Sequence, residues 1–344
     1  MASTNLMAST KPTGVVLLQL GGPDSLDAVQ PFLYNLFCDP DIIDLPFAFL
    51  FRKRLAKYIS AKRTPKVQEL YKGIGGRSPI LAQTNDQAAA LERELRKSFN
   101  AKVYVAMRYW HPMTDAVVEQ VRRDGVERVV LLPLYPQYSK STTGSSVNEW
   151  NRVVQRARVD IATSVVEEYC EHPLYVQAIV ANITATLEKV PHEDRSKVHL
   201  VFSAHGTPMK LVRDADPYSH QIRRTYDAVV REGNFGLNHS LCFQSKVGPQ
   251  KWLEPSLDQT IERLAQEKAS HIVVVPIAFV SEHIETLSEI NIETREEAHE
   301  LGIQYFDMMP ALHTNPLFIQ SLADVAVKKI GVTSPQTSIV GVPA

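Results

Sequence analysis

Apolar runs of strand length alternate with longer amphipathic stretches along most of the chain. Residues 129–132 and 272–275 are wholly apolar, which is typical of strands buried on both faces of a parallel sheet. Similar patterns predict strands over 15–20, 103–107, 128–132, 199–203, 272–277 and 303–306, and helices over 86–98, 114–124, 174–189, 258–268 and 285–301. This alternation predicts a doubly wound α/β fold, with functional residues at the carboxyl ends of the strands.

The two halves of the chain share a local pattern. Residues 14–23 and 199–208 each form a strand-like run that leads into a Gly-containing turn and a proline. A second apolar run that ends in proline follows in each half, at 129–133 and 273–276. The interval between the two motifs is longer in the first half, which indicates an insertion there. We therefore predict two similar lobes that face one cleft.

Composition narrows the range of functions. The 344 residues include 37 Lys and Arg against 38 Asp and Glu, a balance that argues against a dedicated nucleic-acid-binding protein. The 3 cysteines form no C-x-x-C pair, which excludes the common zinc and iron–sulfur spacings and favours reduced cytoplasmic thiols. The apolar runs are shorter than the roughly 18 residues of a membrane-spanning helix. We expect no membrane span.

One strongly apolar segment, residues 42–51, is followed directly by the basic residues 52–54. Two interpretations of it stay open. It is either a buried helix start with a solvated basic face, or an exposed apolar lip whose basic rim meets anionic lipid or an acidic ligand.

His205 is a candidate catalytic residue, because it ends an apolar run where Gly206 and Pro208 favour a turn. A single histidine is more often structural than functional. In a doubly wound fold, however, the carboxyl end of a strand is where functional side chains gather.

The densest group of ionisable residues follows the second proline-ended run. If a helix starts near Ser281, three carboxylates share one of its faces, namely Glu282, Glu285 and Glu289, with His283 beside them. The alternative is a solvated acidic first turn that the helix dipole stabilises. Stacked carboxylates repel one another unless a cation or a proton is handled there, and carboxylates with imidazole suit ferrous, zinc or cobaltous ions. The group predicts transient metal handling.

Residues 135–146 are rich in hydroxyl groups and glycine, which suits an anion-binding loop or, equally, a helix cap. The sequence contains no P-loop and no G-x-G-x-x-G, G-x-S-x-G or H-E-x-x-H motif. Nucleotide, hydrolase and zinc-protease sites of those types are therefore excluded.

Together, these motifs resemble those of the ferrochelatases, which insert ferrous iron into a porphyrin. The resemblance extends over residues 14–327 and is to the bacterial type that lacks an iron–sulfur extension. It rests on LGGP at 20–23, KRTPK at 62–66, YKGIGG at 71–76, RYWHP at 108–112, residues 135–146, FSAHGTP at 202–208, DPY at 216–218, QSKVGP at 244–249 with Trp252, and residues 276–289.

The resemblance implies a class II chelatase-like fold of two similar Rossmann-like lobes, each a parallel sheet flanked by helices. The first lobe is expected over 13–172, with a helix at 315–330 packing back on it. The second lobe is expected over 173–314, and residues 1–12 and 331–344 are expected to be flexible tails.

The resemblance also implies roles for individual residues. His205 and Glu285 match catalytic positions, and His205, Glu285, His283 and Glu289 match the positions that handle the metal. The expected substrate-binding residues are Tyr71, Arg108, Tyr109, Tyr135, Ser139 and Trp252. In one version His205 accepts the pyrrole protons and the acidic residues pass the metal. In the other the roles are exchanged.

By resemblance, the substrates are ferrous iron and protoporphyrin IX and the product is protohaem. Alternatives are a coproporphyrin ferrochelatase, a cobalt chelatase acting on a precorrin-type ring and a non-catalytic tetrapyrrole carrier.

No permanently bound cofactor is expected. Lys140 stands where animal relatives carry a ligand cysteine, and the tail 331–344 contains none, which predicts no [2Fe–2S] cluster. We expect a cytoplasmic monomer or homodimer, with peripheral contact to the cytoplasmic membrane through residues 42–54 as an open alternative.

Overall fold

The computed structural model describes residues 11–42, 48–246 and 250–331. Within them, eight strands form two four-stranded sheets in which every pairing is parallel. The first sheet has the order β2-β1-β3-β4 and the second the order β6-β5-β7-β8. The strands are β1 (Thr13–Gln19), β2 (Ala101–Met107), β3 (Arg128–Pro133), β4 (Ala162–Val165), β5 (Val198–His205), β6 (Asn238–Gln244), β7 (His271–Pro276) and β8 (Tyr305–Met308). The α/β prediction is confirmed.

Helices cover both faces of each sheet. The α-helices are α1 (Val29–Cys38), α2 (Ala48–Gly73), α3 (Ile80–Leu95), α4 (Thr114–Arg123), α5 (Ser145–Ala157), α6 (Pro173–Leu187), α7 (Met209–Arg213), α8 (Tyr218–Gly233), α9 (Leu257–Gln266), α10 (Arg295–Glu300) and α11 (Pro316–Gly331). Two π-helices, π1 (Lys140–Gly144) and π2 (Glu285–Thr294), lie after β3 and β7, and a 3₁₀-helix spans His192–Lys197. The predicted helix 285–301 is thus π2 followed by α10.

One hydrophobic core joins the facing sides of the two sheets. Leu17 of the first sheet and Leu200 of the second belong to the same buried cluster as Ile179 of α6 and Phe318 of α11. α11 also packs against α3 and against β3 and β4 of the first sheet. The outer faces have cores of their own, built with α4 and α5 on one side and with α9 and α10 on the other. The division into lobes at residue 172 stays a prediction, since the central core spans both sheets.

The predicted similarity between the two halves of the chain is confirmed by the sheet topology. Each sheet places its first strand second in order, pairs it with the next two strands, and carries a π-helix after its third strand. The predicted insertion in the first half consists of α1 and α2, which lie between β1 and α3. The carboxyl ends of β1, β3, β5 and β7 are therefore the places where equivalent loops arise in the two halves.

Sequence periodicity missed the helices α1, α2, α5, α7 and α8 and the strands β4 and β6. β4 and β6 are edge strands, and their residues are partly exposed, so they lack the apolar run that reveals a central strand. α5 begins directly after the hydroxyl-rich loop and α8 contains many polar residues. Neither helix therefore contains a continuous apolar stretch that would indicate a buried element.

The apolar segment 42–51 lies partly outside the described residues. α2 begins at Ala48, and the large apolar side chains on either side of the gap are exposed: Ile42 by 37% and Phe51 by 41%. Among the described residues, no helix combines the length and apolar character needed to span a membrane.

Candidate active site

His205 is the last residue of β5, which confirms its predicted place at the carboxyl end of a central strand. The chain then turns so closely that a Cβ on Gly206 would lie 2.8 Å from the Gln244 carbonyl oxygen. The Gly206 amide donates to that same oxygen at 2.8 Å, so only glycine fits this turn. Tyr218 donates its hydroxyl to the His205 carbonyl at 3.0 Å and holds the strand end from α8.

A single carboxylate oxygen lies between two imidazoles. Glu285 is the first residue of π2, and its Oε2 is 3.0 Å from Nδ1 of His205 and 3.4 Å from Nε2 of His283. His205 comes from the end of β5, and His283 and Glu285 come from the segment after β7 that leads into π2. The His205 side chain is 37% exposed and that of Glu285 26% exposed, so both remain partly accessible.

These contacts set the charge states of the pair. Burial opposes charge on His205, but the charge and hydrogen bond of Glu285 outweigh it and hold the pKa of His205 above its ordinary value. Burial likewise opposes charge on Glu285, but His205 and His283 keep the pKa of that carboxyl well below its usual range. Glu285 is therefore a fixed anion, and it strengthens His205 as a base.

Glu289 lies on the same side of π2 and binds the segment after β6. Its Oε1 accepts from the Ser245 amide at 2.7 Å, and its Oε2 accepts from the Ser245 hydroxyl. Gln244 donates its side-chain amide to Glu289 at 3.4 Å and to the Glu285 carbonyl at 3.2 Å. Burial and the charge of Glu285 raise the pKa of Glu289, so it takes up a proton more readily than an ordinary glutamate.

The expectation that Glu282 shares a helix face with Glu285 and Glu289 is wrong. π2 begins at Glu285, three residues after Glu282, and the Glu282 carboxylate turns away to accept from the Ala311 amide at 2.7 Å and the Thr286 hydroxyl at 2.5 Å. Glu282 is a structural anchor for the start of π2. The carboxylates of this group are therefore separated, which relieves the repulsion predicted from their spacing.

The first lobe closes the other side of this site. Tyr71, near the end of α2, is buried together with Tyr109 and with Ile284, the residue before Glu285. Burial first, and then the negative charge of Glu285, raise the pKa of Tyr71 above its ordinary range. α2 ends against π2 itself, since a Cβ built on Gly73 would lie 3.7 Å from Cδ1 of Ile292.

A family model described as Ferrochelatase matches residues 12–330. The ferrochelatase of Geotalea uraniireducens is 47% identical over 319 residues, which cover 92% of this chain and 98% of the relative. That of Aquifex aeolicus is 45% identical over 319 residues, with 92% and 99% of the two chains covered. The chain belongs to the ferrochelatase family. It is accordingly a metal chelatase.

Solved structures agree in fold. SirB from Bacillus subtilis with Fe3+ superposes with a TM-score of 0.52 at 12% identity, covering 93% of this chain and 98% of SirB. The sirohydrochlorin chelatase SirB in complex with cobalt gives a TM-score of 0.52 at 9% identity, with 92% and 95% covered. At this identity the likeness concerns the fold, and it confirms the expected class II chelatase architecture of two Rossmann-like lobes.

In this ferrochelatase, Arg108 and Tyr109 are held in a buried network that the sequence did not reveal. Arg108 pairs with Asp39 at 2.9 Å, and Tyr109 donates its hydroxyl to the same carboxylate oxygen at 2.5 Å. Ser145, at the start of α5, binds both Asp39 and Arg108. Burial opposes the charge of Asp39, but the Ser145, Tyr109 and Arg108 contacts keep its pKa below its ordinary value. The polar groups of Arg108 and Tyr109 thus bind other residues of the protein. Their contact with porphyrin stays a prediction.

Ser139 has a similar structural bond. Its hydroxyl is buried and donates to the Asp216 carboxylate at 3.0 Å, and the Lys140 amide donates to the same oxygen at 2.7 Å. Asp216 belongs to the second half of the chain, so this bond joins the hydroxyl-rich loop to the start of α8. The predicted role of Ser139 near a substrate carboxylate is untested by this geometry.

Two other expected substrate residues have unpartnered polar groups. Within the described residues, the indole N–H of Trp252 and the hydroxyl of Tyr135 are buried and have no hydrogen-bond partner. Nδ1 of His283 is likewise buried and has no hydrogen-bond partner among the described residues. Trp252 pairs with Pro208 next to the His205 turn and lies 3.5 Å from where a Gly206 Cβ would be. Buried groups without partners are uncommon and point to an absent ligand or water.

No group of three or more His, Cys, Asp and Glu side chains forms a metal site within the described part of the chain. His205, Glu285 and His283 are instead held to one another by hydrogen bonds. A ferrous ion entering as substrate would have to replace at least one of these bonds. Asp39, Asp216, Gln244 and Ser245 were assigned no role from the sequence, although the last three lie inside the motifs that carry the family resemblance.

Proposed function

We propose that this ferrochelatase inserts ferrous iron into protoporphyrin IX and so forms protohaem in the cytoplasm. The observation that carries the proposal is the shared Glu285 oxygen, which lies between His205 and His283 beside the first-lobe residue Tyr71. This arrangement brings a base, a fixed anion and a second imidazole together where the two lobes meet.

We assign proton removal to His205. When the imidazole is neutral, Nδ1–H donates to Glu285, which leaves the lone pair of Nε2 free for a pyrrole proton. Each of the two pyrrole protons must leave for the metal to bind, and the imidazolium that forms is stabilised by the Glu285 anion. Glu289, whose pKa is raised, is suited to carry a proton onward.

We assign iron transfer to the acidic side of the site. Glu285 and Glu289 offer oxygen ligands and His283 offers a nitrogen, a set that suits ferrous iron without binding it as tightly as thiolates would. Nδ1 of His283 is buried without a partner among the described residues, which supports a role for this imidazole toward a substrate. The hydrated ion would exchange water for these groups before it reaches the ring.

The porphyrin is proposed to occupy the open face between the lobes. The cavity between Gly206 and Trp252 measures about 30 Å³, enough for one or two water molecules and far too small for a macrocycle. A flat ring must therefore lie outside it, against His205 on one side and the first lobe on the other. Binding energy from such contacts can bend the ring and expose its nitrogen lone pairs.

Anaerobic incubation with ferrous iron and a porphyrin tests this function. Conversion of the free-base absorption spectrum of protoporphyrin IX to that of the metalloporphyrin is expected. We expect kcat/KM for protoporphyrin IX to exceed that for coproporphyrin by about tenfold or more, because unmatched carboxylates are costly to desolvate. The exposed apolar side chains of Ile42 and Phe51 support protoporphyrin IX, which is the more apolar of the two porphyrins. A preference for coproporphyrin would contradict the substrate assignment while leaving iron insertion intact.

We also propose peripheral contact with an anionic membrane through residues 42–54. Phe51 is an exposed apolar residue directly before the basic residues 52–54, and Ile42 is an exposed apolar residue at the start of the segment. Co-sedimentation with vesicles that contain anionic lipid is expected to pellet the protein, and Phe51→Glu is expected to weaken binding about tenfold. Leu301→Glu, an exposed apolar residue of the second half, is the matched control. Equal loss in both variants, or binding to neutral vesicles alone, would refute the contact.

The enzyme is proposed to work without a resident [2Fe–2S] cluster. Burial raises the pKa of the Cys242 thiol to about 12 and that of Cys170 above its ordinary range. Cluster ligation needs thiolates, which these environments disfavour.

A further inference from the structure

One face of α3, in the first half of the chain, binds two loops of the second half. Gln87 is fully buried on this face, and its side-chain amide donates to the Val280 carbonyl at 3.0 Å and to the His313 carbonyl at 3.1 Å. Its oxygen accepts from the Ser281 hydroxyl at 3.2 Å. Both N–H groups and the oxygen of the amide are therefore used, all by residues about two hundred positions away along the chain.

Neighbouring residues of α3 extend this contact. The side-chain oxygen of Gln83 accepts from the Glu282 amide at 2.7 Å, and Asp86 lies 3.2 Å from Nε2 of His313. Three consecutive residues of one loop, 280–282, are thus bound by a single helix face. A loop fixed at three successive positions has little freedom to shift along or away from that helix.

The fixed loop leads directly into the reactive residues. Ser281 is two positions before His283 and four before Glu285, and consecutive Cα atoms are only about 3.8 Å apart. The start of π2 is bound as well, because the Thr286 hydroxyl accepts from the His283 amide at 3.1 Å. A displacement of the loop is therefore transmitted to the position of the Glu285 carboxylate.

We propose that Gln87 is a positioning residue that holds Glu285 against His205 from the opposite lobe. This inference rests on the proposed function of His205 and Glu285. An apolar side chain could fill the same buried space, but only an amide can bind two carbonyls and a hydroxyl in fixed directions. The first lobe thus contributes to the reaction by fixing the geometry of the acid–base pair in the second.

The groups facing His205 determine what a displacement of π2 does. Glu285 and Glu289 face it from π2, His283 from the preceding loop, and Tyr218 from α8. Among them, Glu285 is hydrogen-bonded to the imidazole, with its Oε2 at 3.0 Å from Nδ1 of His205. If Glu285 moves away, this hydrogen bond is lost and no longer fixes the tautomer and orientation of the imidazole.

The test compares Gln87→Met with Thr225→Val. Met fills a similar volume without polar groups. Thr225 is also fully buried and accepts a bond from the first half, from Gln137 at 2.9 Å, so its loss removes a comparable contact elsewhere between the halves. Both variants are expected to lower Tm. Only Gln87→Met is expected to lower kcat, by about tenfold to 10²-fold, with KM for porphyrin nearly unchanged.

A readout independent of turnover separates this inference from the proposed function. The Nδ1–H proton of His205, which is hydrogen-bonded to Glu285, is observed by NMR in the free enzyme and assigned by its absence in His205→Asn. A loss or an upfield shift of this resonance in Gln87→Met but not in Thr225→Val supports positioning, even if the wild-type protein fails to metallate porphyrin. A folded Gln87→Met protein with lowered Tm, unchanged kcat and an unchanged Nδ1–H resonance would overturn it.

A milder variant covers the case in which Gln87→Met does not fold. Gln83→Leu removes only the bond to the Glu282 amide at a partly exposed position. A smaller upfield shift of the His205 Nδ1–H resonance is expected. No shift would count against the transmission of loop position to Glu285.

Discussion

His205→Ala is expected to abolish iron insertion while leaving porphyrin binding nearly intact. The imidazole is the base that takes the pyrrole protons, and loss of such a group typically lowers kcat by about 10²- to 10⁴-fold. Its side chain is 37% exposed and makes no large contribution to the core, so the fold should persist. Insertion rates measured anaerobically, with porphyrin affinity from fluorescence quenching, give the two readouts.

His199→Ala is the matched control for that experiment. His199 lies near the opposite end of the same strand, where it contacts Ser240 at 2.8 Å. The His199→Ala variant should keep wild-type turnover. Near-normal insertion by His205→Ala would remove this residue from the mechanism, and equal loss of binding and turnover would make it a substrate contact instead of a base.

Glu285→Gln is expected to lower kcat on the order of 10²-fold without unfolding the protein. Gln keeps an acceptor for Nδ1 of His205 but removes the negative charge that raises the pKa of His205. The pKa of His205 therefore falls, and the acidic limb of the pH–rate profile moves to lower pH. The pH dependence of kcat/KM for porphyrin, together with Tm, checks both parts.

Glu293→Gln makes the same change of charge in the same π-helix. Glu293 accepts from Ser288 at 3.2 Å and, among the described residues, has no hydrogen bond or ion pair with a histidine. It is expected to leave the pH profile unmoved. A collapse of Tm in Glu285→Gln, or an acidic limb displaced to higher pH, would show that Glu285 is chiefly structural.

The fold was predictable where strands are buried on both faces. β3 and β7 consist of apolar residues because helices cover both sides of each sheet, and this leaves a run that periodicity detects. The similar order of the two sheets was predictable from the repeated motifs that end at Pro23 and Pro208. The strands β4 and β6 escaped prediction because much of each is exposed or only partly buried, so neither carries a continuous apolar run.

The candidate site was predictable in its residue types and only in part in its geometry. His205 stands at a strand end, which turn residues reveal locally. Glu282 was wrongly grouped with Glu285, because an α-helical spacing does not apply to a loop followed by a π-helix. A π-helix closes i→i+5 hydrogen bonds and is rarely recognisable from periodicity.

By itself, the sequence determined the α/β class, the repeated halves and the histidine and glutamates that the site uses. The tertiary structure alone decided which of these groups meet. His205 and Glu285 share a hydrogen bond across eighty positions of chain, Arg108 and Asp39 pair across nearly seventy, and Gln87 reaches the loop before π2 across almost two hundred. Such contacts depend on how the two sheets and α3 pack around a common core, and local periodicity carries no record of that packing.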